Sequence, residues 1–341
     1  MKTRFAAIAV LAVFVVTCFT PLLASEADAV DVDYTKYYYN QLGEAEKNIY
    51  GAYSGITGNP TGSADAYVYE VTVTGGAAYT KEQAERAWEA SRLDNPYAFW
   101  TWTVGTCAPN LEVAAVGGDL KVTIHMDNAY VDAADKCTSA KNVIDVVELK
   151  GKDESERVKS ANSVLADKKY KLTDDGVGNV SGVLGDDTHS LTAEGFAAVL
   201  KALCDREVDG LKVGCIQVYG MLSHGATNKV HAWNQVSVNS QIYAVDPAVN
   251  NDKGAETCLC AGNYTVVSGE AFAKEHRAFT FNAWMGLGYA FGSEPLCNGG
   301  YEWPEDTSLV AQLVNYAPWI LVGIISVVLA VSLVAMARRE Q

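Results

Sequence analysis

Residues 231 to 248 read HAWNQVSVNSQIYAVDPA, in which two segments rich in β-branched residues flank an Asn-Ser pair. Asn239-Ser240 is a candidate two-residue turn between them. The sequence therefore predicts a β-hairpin whose strands cover Lys229–Val238 and Ile242–Asp246.

The register of this hairpin brings a histidine and an aspartate together. If Asn239 and Ser240 form the turn, His231 lies opposite Ala248, and its diagonal neighbour on the same face is Asp246. Diagonal neighbours are ~7 Å apart, which lets a carboxylate reach an imidazole. An aspartate that orients a histidine and stabilises its cation is the base half of a nucleophilic triad. An isolated strand histidine is more often a core or surface residue, so this interpretation depends on the pairing.

A helix is predicted upstream, in the stretch LTAEGFAAVLKALCD at residues 191 to 205. Its apolar residues recur at helical spacing from residue 193 to residue 204, which indicates a face packed on a core. These residues are Phe196, Ala197, Leu200 and Leu203.

Together these segments resemble the transglutaminase-like superfamily, which has a papain-like α+β fold. The hairpin is similar to the superfamily's His-Ala-Trp and Tyr-x-Val-Asp motifs. Residues 181 to 205 resemble its loop and helix, written Gly-x-Cys-Glu-Gly-Tyr-Ala and ending in Leu-Cys-Asp. The stretches DNPYAFWTW (94–102) and SERVKSANSVLADKKY (155–170) resemble segments that precede this core in secreted bacterial members. The resemblance covers roughly residues 34 to 255.

The resemblance implies a role for each matching residue. His231 takes the place of the general base, Asp246 that of its orienting acid, and Ala193 that of the nucleophilic cysteine. A methyl group cannot attack a carbonyl, so acyl transfer from glutamine or peptide hydrolysis through a thiol is not expected. The interpretation is an inactive domain whose old cleft binds a peptide, a protein or a cell-wall component, with no cofactor or metal. The expected binding residues are Trp233, Glu194 and Thr192.

An enzyme with a different nucleophile is the alternative. Thr192 and Ser190 flank the substituted position, although a hydroxyl there usually caps the helix. Cys204 lies 11 residues along the helix, ~16 Å from its start. Cys215 lies on the next predicted strand, where a disulfide is its more common role. Any of these would act with His231 and Asp246.

Both ends of the chain predict export and membrane anchoring. Residues 1–29 combine a basic start, an apolar run and small residues, which indicates a signal peptide; lipid attachment at Cys18 is the alternative. Residues 317–337 contain no charge, and Arg338-Arg339 follows, which predicts a single membrane span with a cytoplasmic tail at 338–341. A buried core helix is the alternative there. The expected location is the cell membrane, with the body of the protein outside.

Charge and elements complete the predicted organisation. The formal net charge of −15 argues against a nucleic-acid partner. An N-terminal α/β extension (30–150), a core (151–297) and a linker (298–316) are expected between the two ends. Upstream of the core helix, the patterns predict helices at 34–56, 80–88 and 155–167, strands at 66–73, 111–116 and 120–126, and a loop at 173–188.

Seven cysteines follow the predicted signal peptide, and an exported protein would use them for disulfides. Cys107 with Cys137 and Cys204 with Cys215 are the most closely spaced candidate pairs. Cys297 can take either Cys258 or Cys260, which leaves one cysteine over. A zinc site from Cys258, Cys260 and a histidine is the alternative.

Overall fold

A computed structural model describes residues 33–63, 66–104, 109–185, 189–224, 227–239, 241–252 and 276–278. Every described residue belongs to one compact unit, which begins at Asp33. Within the described ranges, none of the helices has both the length and the apolar character needed to cross a bilayer. The predicted signal peptide (1–29) and membrane span (317–337) lie outside the described residues.

The structure is α+β, as predicted, with two antiparallel four-stranded sheets and one two-stranded parallel sheet among the described residues. The helices are α1 (Glu44–Tyr53), α2 (Lys81–Asp94), α3 (Ala133–Asp145), α4 (Glu154–Leu165), α5 (Ala193–Cys204) and α6 (Pro247–Asp252). The strands are β1 (Thr61–Ser63), β2 (Ala66–Val73), β3 (Leu111–Val116), β4 (Asp119–Met126), β5 (Tyr170–Val177), β6 (His189–Leu191), β7 (Gly214–His224), β8 (Thr227–Val238), β9 (Gln241–Val245) and β10 (His276–Ala278).

The first antiparallel sheet has the order β1-β2-β4-β3 and the second the order β10-β7-β8-β9. The third sheet pairs β5 with β6 in parallel. One apolar core contains buried residues on both sides of residue 150, from Ile49 to Ala248. Helix α5 lies in this core, and eleven of its twelve residues are buried.

The predicted hairpin is confirmed in its turn and register. Val238 pairs with Gln241, and Asn239 adopts a φ of 53°, the left-handed conformation that a tight turn requires. The predicted partner of His231 is wrong, however. β9 ends at Val245, and Ala248 already lies in helix α6.

The N-terminal helix is shorter than predicted because the chain before it is held in another conformation. Asp94, buried at the end of α2, accepts hydrogen bonds from the backbone amides of Tyr38 and Tyr39 at 2.9 and 2.8 Å. The Tyr38 hydroxyl also donates to the Gln217 carbonyl oxygen at 2.6 Å. These contacts leave only α1 as regular α-helix, and α1 begins after Gly43.

Other elements agree with the predictions to different extents. Strand β2, strand β3 and helix α5 have the predicted bounds. Helix α2 begins at the predicted Thr80 capping box but continues to Asp94 rather than ending near Trp88. Helix α3 was not predicted from the sequence.

The predicted loop at 173–188 is wrong in its first part, where β5 extends to Val177. A side chain at Gly176 would lie 2.5 Å from the Leu191 backbone carbon. Glycine therefore allows β5 to pack closely against the end of β6. This brings the β5 backbone to the start of helix α5.

A glycine at the start of α5 tests this close packing. A Cβ atom at Gly195 would lie 2.1 Å from the Val177 carbonyl oxygen, which already accepts the Thr192 amide at 3.2 Å. We expect Gly195→Ala to lower the free energy of unfolding by about 2–3 kcal/mol, because neither backbone can move freely. Chemical denaturation of the full-length chain measures the change.

Gly51→Ala is the matched control, since Gly51 is exposed in α1 and a Cβ atom there would have no neighbouring atom within 4 Å. We expect that helix-interior substitution to raise stability by about 0.5–1 kcal/mol. Equal stabilities for Gly195→Ala and the wild type would contradict the packing of β5 on α5.

Candidate functional site

His231 and Asp246 form a buried pair. His231 Nε2 lies 2.6 Å from Asp246 Oδ2, and the two residues are 5% and 1% exposed. The hairpin holds His231 on β8, opposite Gly220 of β7. The register of the hairpin predicted this pairing, and the structure brings the two side chains into direct hydrogen-bond contact.

Asp246 has a second role, as the residue that precedes helix α6. Its Oδ1 atom accepts the backbone amide of Val249 at 2.9 Å, and Pro247 is the first residue of the helix. An aspartate before a first-position proline is typical of a helix N-terminus. The cap holds one carboxylate oxygen, so the other is fixed toward His231.

Three effects set the protonation of His231. Burial lowers its pKa, but the hydrogen-bonded Asp246 carboxylate and the Glu194 carboxylate raise it, and the net pKa lies above that of an ordinary histidine. The two carboxylates therefore favour the imidazolium, whereas burial favours the neutral ring. The influence of Glu194 also shows that the first turn of α5 lies within electrostatic reach of His231.

The first turn of α5 is built by a cap and a glycine. The Thr192 hydroxyl accepts the Gly195 amide at 3.4 Å, and this contact satisfies one of the free amides at the helix start. Ala193 is 8% exposed, and Glu194 is half-buried. Thr192, predicted as a binding residue, is thus the N-cap of the helix.

Two side-chain contacts orient α5 on the second antiparallel sheet. Asn234 Nδ2 donates to the Ala197 carbonyl oxygen at 3.0 Å. Lys201 Nζ donates to the Cys215 carbonyl oxygen at 2.7 Å, and Cys215 pairs with Val236. The helix therefore runs in the same direction as β8, and its start at Ala193 lies toward the His231 end of the strand.

The two faces of β8 differ. Asn234 belongs to the face that contacts α5, whereas His231 and Trp233 belong to the other face, with Gly220 and Val218 of β7. Glu194, in the first turn of α5, acts on His231 through its charge. Trp233 is 3% exposed and packs in an apolar cluster.

The alternative nucleophiles occupy other environments. Ser190 lies on β6, and Cys204 lies at the far end of α5. Cys215 is fully buried, and its sulfur accepts a hydrogen bond from Asn234 Nδ2 at 3.5 Å. Cys204 and Cys215 are not joined by a disulfide in the structure, and Cys107, Cys258, Cys260 and Cys297 lie outside the described residues.

A metal centre was not expected. In the part of the chain that the structure describes, no group of three or more His, Cys, Asp or Glu side chains is arranged to hold a metal ion. The alternative zinc site at Cys258 and Cys260 falls outside that part.

The buried polar residues that place the helix were not predicted from the sequence. Asn234 and Lys201 are both 0% exposed and connect α5 to strands β7 and β8. The available signal was a polar side chain within an otherwise apolar segment. A buried ammonium needs an anion or carbonyl nearby, and Asp205 Oδ2 lies 3.0 Å from Lys201 Nζ.

The raised pKa of His231 gives a direct test of the site. We expect Glu194→Gln to lower that pKa and Asp246→Asn to lower it further, because each removes a negative charge that favours the imidazolium. Titration of the imidazole proton resonances by NMR measures both changes, and His231→Gln identifies the resonance.

The same shift has a defined effect on stability. Because the folded-state pKa is raised, the stabilisation by protonated His231 is complete below the unfolded pKa of ~6.5 and is lost as the pH rises through the folded value.

Glu112→Gln is the matched control for the NMR titration of His231, since Glu112 pairs with His125 on the other antiparallel sheet. If Glu194→Gln leaves the pKa of His231 unchanged, the start of α5 does not belong to the candidate site.

Comparison with known proteins does not assign the chain to a family. Neither models of protein families nor curated proteins match the chain.

Proposed function

We propose that this chain is a catalytically silent member of the transglutaminase-like superfamily that binds a peptide, a protein or a cell-wall component at the cell surface. The observation that carries the proposal is the buried His231–Asp246 pair at 2.6 Å, on which the charge of Glu194 acts from the first turn of a helix that begins with Ala193. The sequence motifs around these residues supply the resemblance. The proposal includes the papain-like fold of this superfamily as the specific fold within the α+β class.

The absence of thiol catalysis follows from the residue at the start of α5. An alanine has neither a nucleophilic atom nor an ionisable group, whereas the base half of the triad needs a thiol or hydroxyl to deprotonate. Thr192 uses its hydroxyl as an acceptor in the helix cap. The pair of His231 and Asp246 can still supply a charged hydrogen-bond donor to a ligand.

The charge of the site suits a polar ligand. The carboxylates of Asp246 and Glu194 both favour the imidazolium of His231, and Glu194 is only half-buried. A peptide amide or a cell-wall amide offers both the carbonyl that accepts from the imidazolium and the N–H that donates to a carboxylate. Anchoring by the predicted span at 317–337 would keep this site outside the membrane.

Ligand binding is tested by thermal unfolding of the full-length chain with soluble peptidoglycan fragments and, separately, with a mixture of short peptides. A ligand at about 100 times its Kd stabilises by about 2.7 kcal/mol, which raises the Tm by several degrees. We expect such a shift for one of the two mixtures in the wild type and a smaller one in His231→Gln.

His125→Gln is the control for this experiment, because His125 lies on strand β4 of the other antiparallel sheet. It should show the wild-type shift. A Tm that neither mixture moves would contradict the binding function.

Restoring the missing thiol tests the inactive triad. We expect Ala193→Cys to react with iodoacetamide at a pH of about 6 roughly tenfold faster than Ala198→Cys, because the start of α5 lies within electrostatic reach of His231 and an imidazolium lowers the pKa of a thiol. Ala198 is the matched position, since it is buried to a similar extent on the same helix (5% against 8%). Peptide mapping by mass spectrometry gives the rate at each introduced cysteine.

The gain should require the histidine, so His231→Gln in the Ala193→Cys background should remove it. Equal rates at positions 193 and 198 would contradict the triad. Labelling of the wild type by an electrophilic probe, lost in His231→Gln, would instead favour an enzyme that uses Thr192, Ser190 or another cysteine.

A further inference from the structure

The C-terminal end of α5 meets the start of β7 through two cysteines. Cys204 is the last residue of the helix, and Cys215 is the second residue of the strand. The Val213 amide donates to the Cys204 carbonyl oxygen at 3.2 Å, which closes the intervening segment into a compact loop. Within this loop Val208 and Leu211 exchange backbone hydrogen bonds at 3.0 and 3.1 Å.

Both cysteines are buried in the same apolar core cluster. Cys204 is 1% exposed and Cys215 is 0% exposed. A hydrogen bond between the two thiols, together with burial, raises the pKa of Cys204 well above its ordinary value. Neighbouring polar groups fix the Cys215 side, since Asn234 Nδ2 contacts its sulfur and Lys201 Nζ contacts its carbonyl oxygen.

The environment of Cys137 is different. Its thiol donates to the Tyr97 carbonyl oxygen at 3.4 Å, and burial raises its pKa to about 11. Cys137 lies on α3, whereas Cys204 and Cys215 lie at the two ends of one loop. Cys137 therefore serves as an internal control for a buried thiol.

We propose that Cys204 and Cys215 are a site of oxidative modification, at which an intramolecular disulfide fastens the end of α5 to β7. The Val213–Cys204 backbone hydrogen bond holds the two residues at the closed end of one loop, where both are buried in the same core cluster, and a disulfide of about 2.05 Å would join them there. This proposal depends on the predicted exposure of the chain to an oxidising compartment and not on the ligand of the proposed function.

The chemistry requires an oxidant, and a small-molecule disulfide such as oxidised glutathione supplies it. One cysteine thiolate attacks a sulfur of the oxidant and releases one glutathione thiolate. The second cysteine thiolate then attacks the mixed disulfide and releases the second glutathione. The protein loses two protons and two electrons, and the two glutathione molecules carry them away as thiols.

Burial determines when this exchange can occur. Because the folded core excludes solvent from both sulfurs, an oxidant reaches them during folding or during transient opening, and hardly at all in the native state. For the same reason a reductant should not reach the finished bond without unfolding. The disulfide would thus be formed as the chain folds and then be protected by the fold.

The bond would stabilise the part of the fold that carries the candidate site. It closes the loop between α5 and β7, and β7 pairs with the strand that holds His231. Cross-linking restricts the unfolded chain, and it also limits movement of α5 along the hairpin. The start of α5, with Ala193 and Glu194, would then keep its position relative to the hairpin.

Refolding of the full-length chain in oxidised and reduced glutathione, followed by trapping of thiols with N-ethylmaleimide, tests the proposal. Peptide mapping should recover a bond between the peptides that contain Cys204 and Cys215. In the native protein this bond should resist dithiothreitol, and it should be reduced after denaturation. Alkylation of both residues, or a bond from either to a different cysteine, would overturn the proposal.

A stability measurement shows whether the disulfide stabilises the fold. We expect the Tm of the oxidised wild type to exceed that of the fully reduced protein by about 5–10 °C. The Cys204→Ala/Cys215→Ala variant should lose this difference, and Cys137→Ala should retain it. A difference that persists in the double variant would assign the effect to another pair. Ligand binding is measured separately, so a failure here leaves the proposed function open to its own test.

Discussion

The packing of helix α5 along strand β8 is the constraint on which the rest of the structure depends. Asn234 and Lys201 are buried without exposure, and their hydrogen bonds to carbonyl oxygens fix the helix both along the strand and in its direction. A polar group that is buried without a partner costs free energy, so sliding the helix would break these bonds at a cost of about 1–3 kcal/mol each. The position of Glu194 near His231 follows from this registry.

The aspartate of the site shows how one residue serves structure and chemistry together. The helix cap alone would account for an aspartate at position 246, because its side chain accepts the Val249 amide and Pro247 begins the helix. As the partner of His231, it uses its other carboxylate oxygen in a buried hydrogen bond. The two contacts fix both carboxylate oxygens, so the orientation of the imidazole depends on the start of α6 as well as on the hairpin.

Sequence patterns predicted the elements whose signals are local, and they failed where distant contacts decide the conformation. The bounds of α5 and the turn at Asn239 follow from helical periodicity and turn chemistry. The segment before α1 does not, because its amides are held by Asp94, which lies far along the chain at the end of α2. The hairpin register predicted the His231–Asp246 contact, although Asp246 itself follows the end of β9 and caps α6. The face of β8 on which His231 lies relative to α5 was not predictable, since it depends on Asn234 and the buried ammonium of Lys201.

The stability of the fold does not by itself explain why position 231 carries a histidine. A buried ion pair is weak evidence for stability, because an apolar residue of similar volume is often neutral or stabilising in its place. Asp246 could cap α6 without an imidazole beside it, and the face of the sheet that His231 shares with Trp233 and Val218 is apolar enough to accept a leucine or methionine. Burial opposes the charge on His231, and the carboxylates of Asp246 and Glu194 offset that opposition. Perturbed pKa values cluster at functional sites, so the raised pKa of His231 supports the ligand site that we propose.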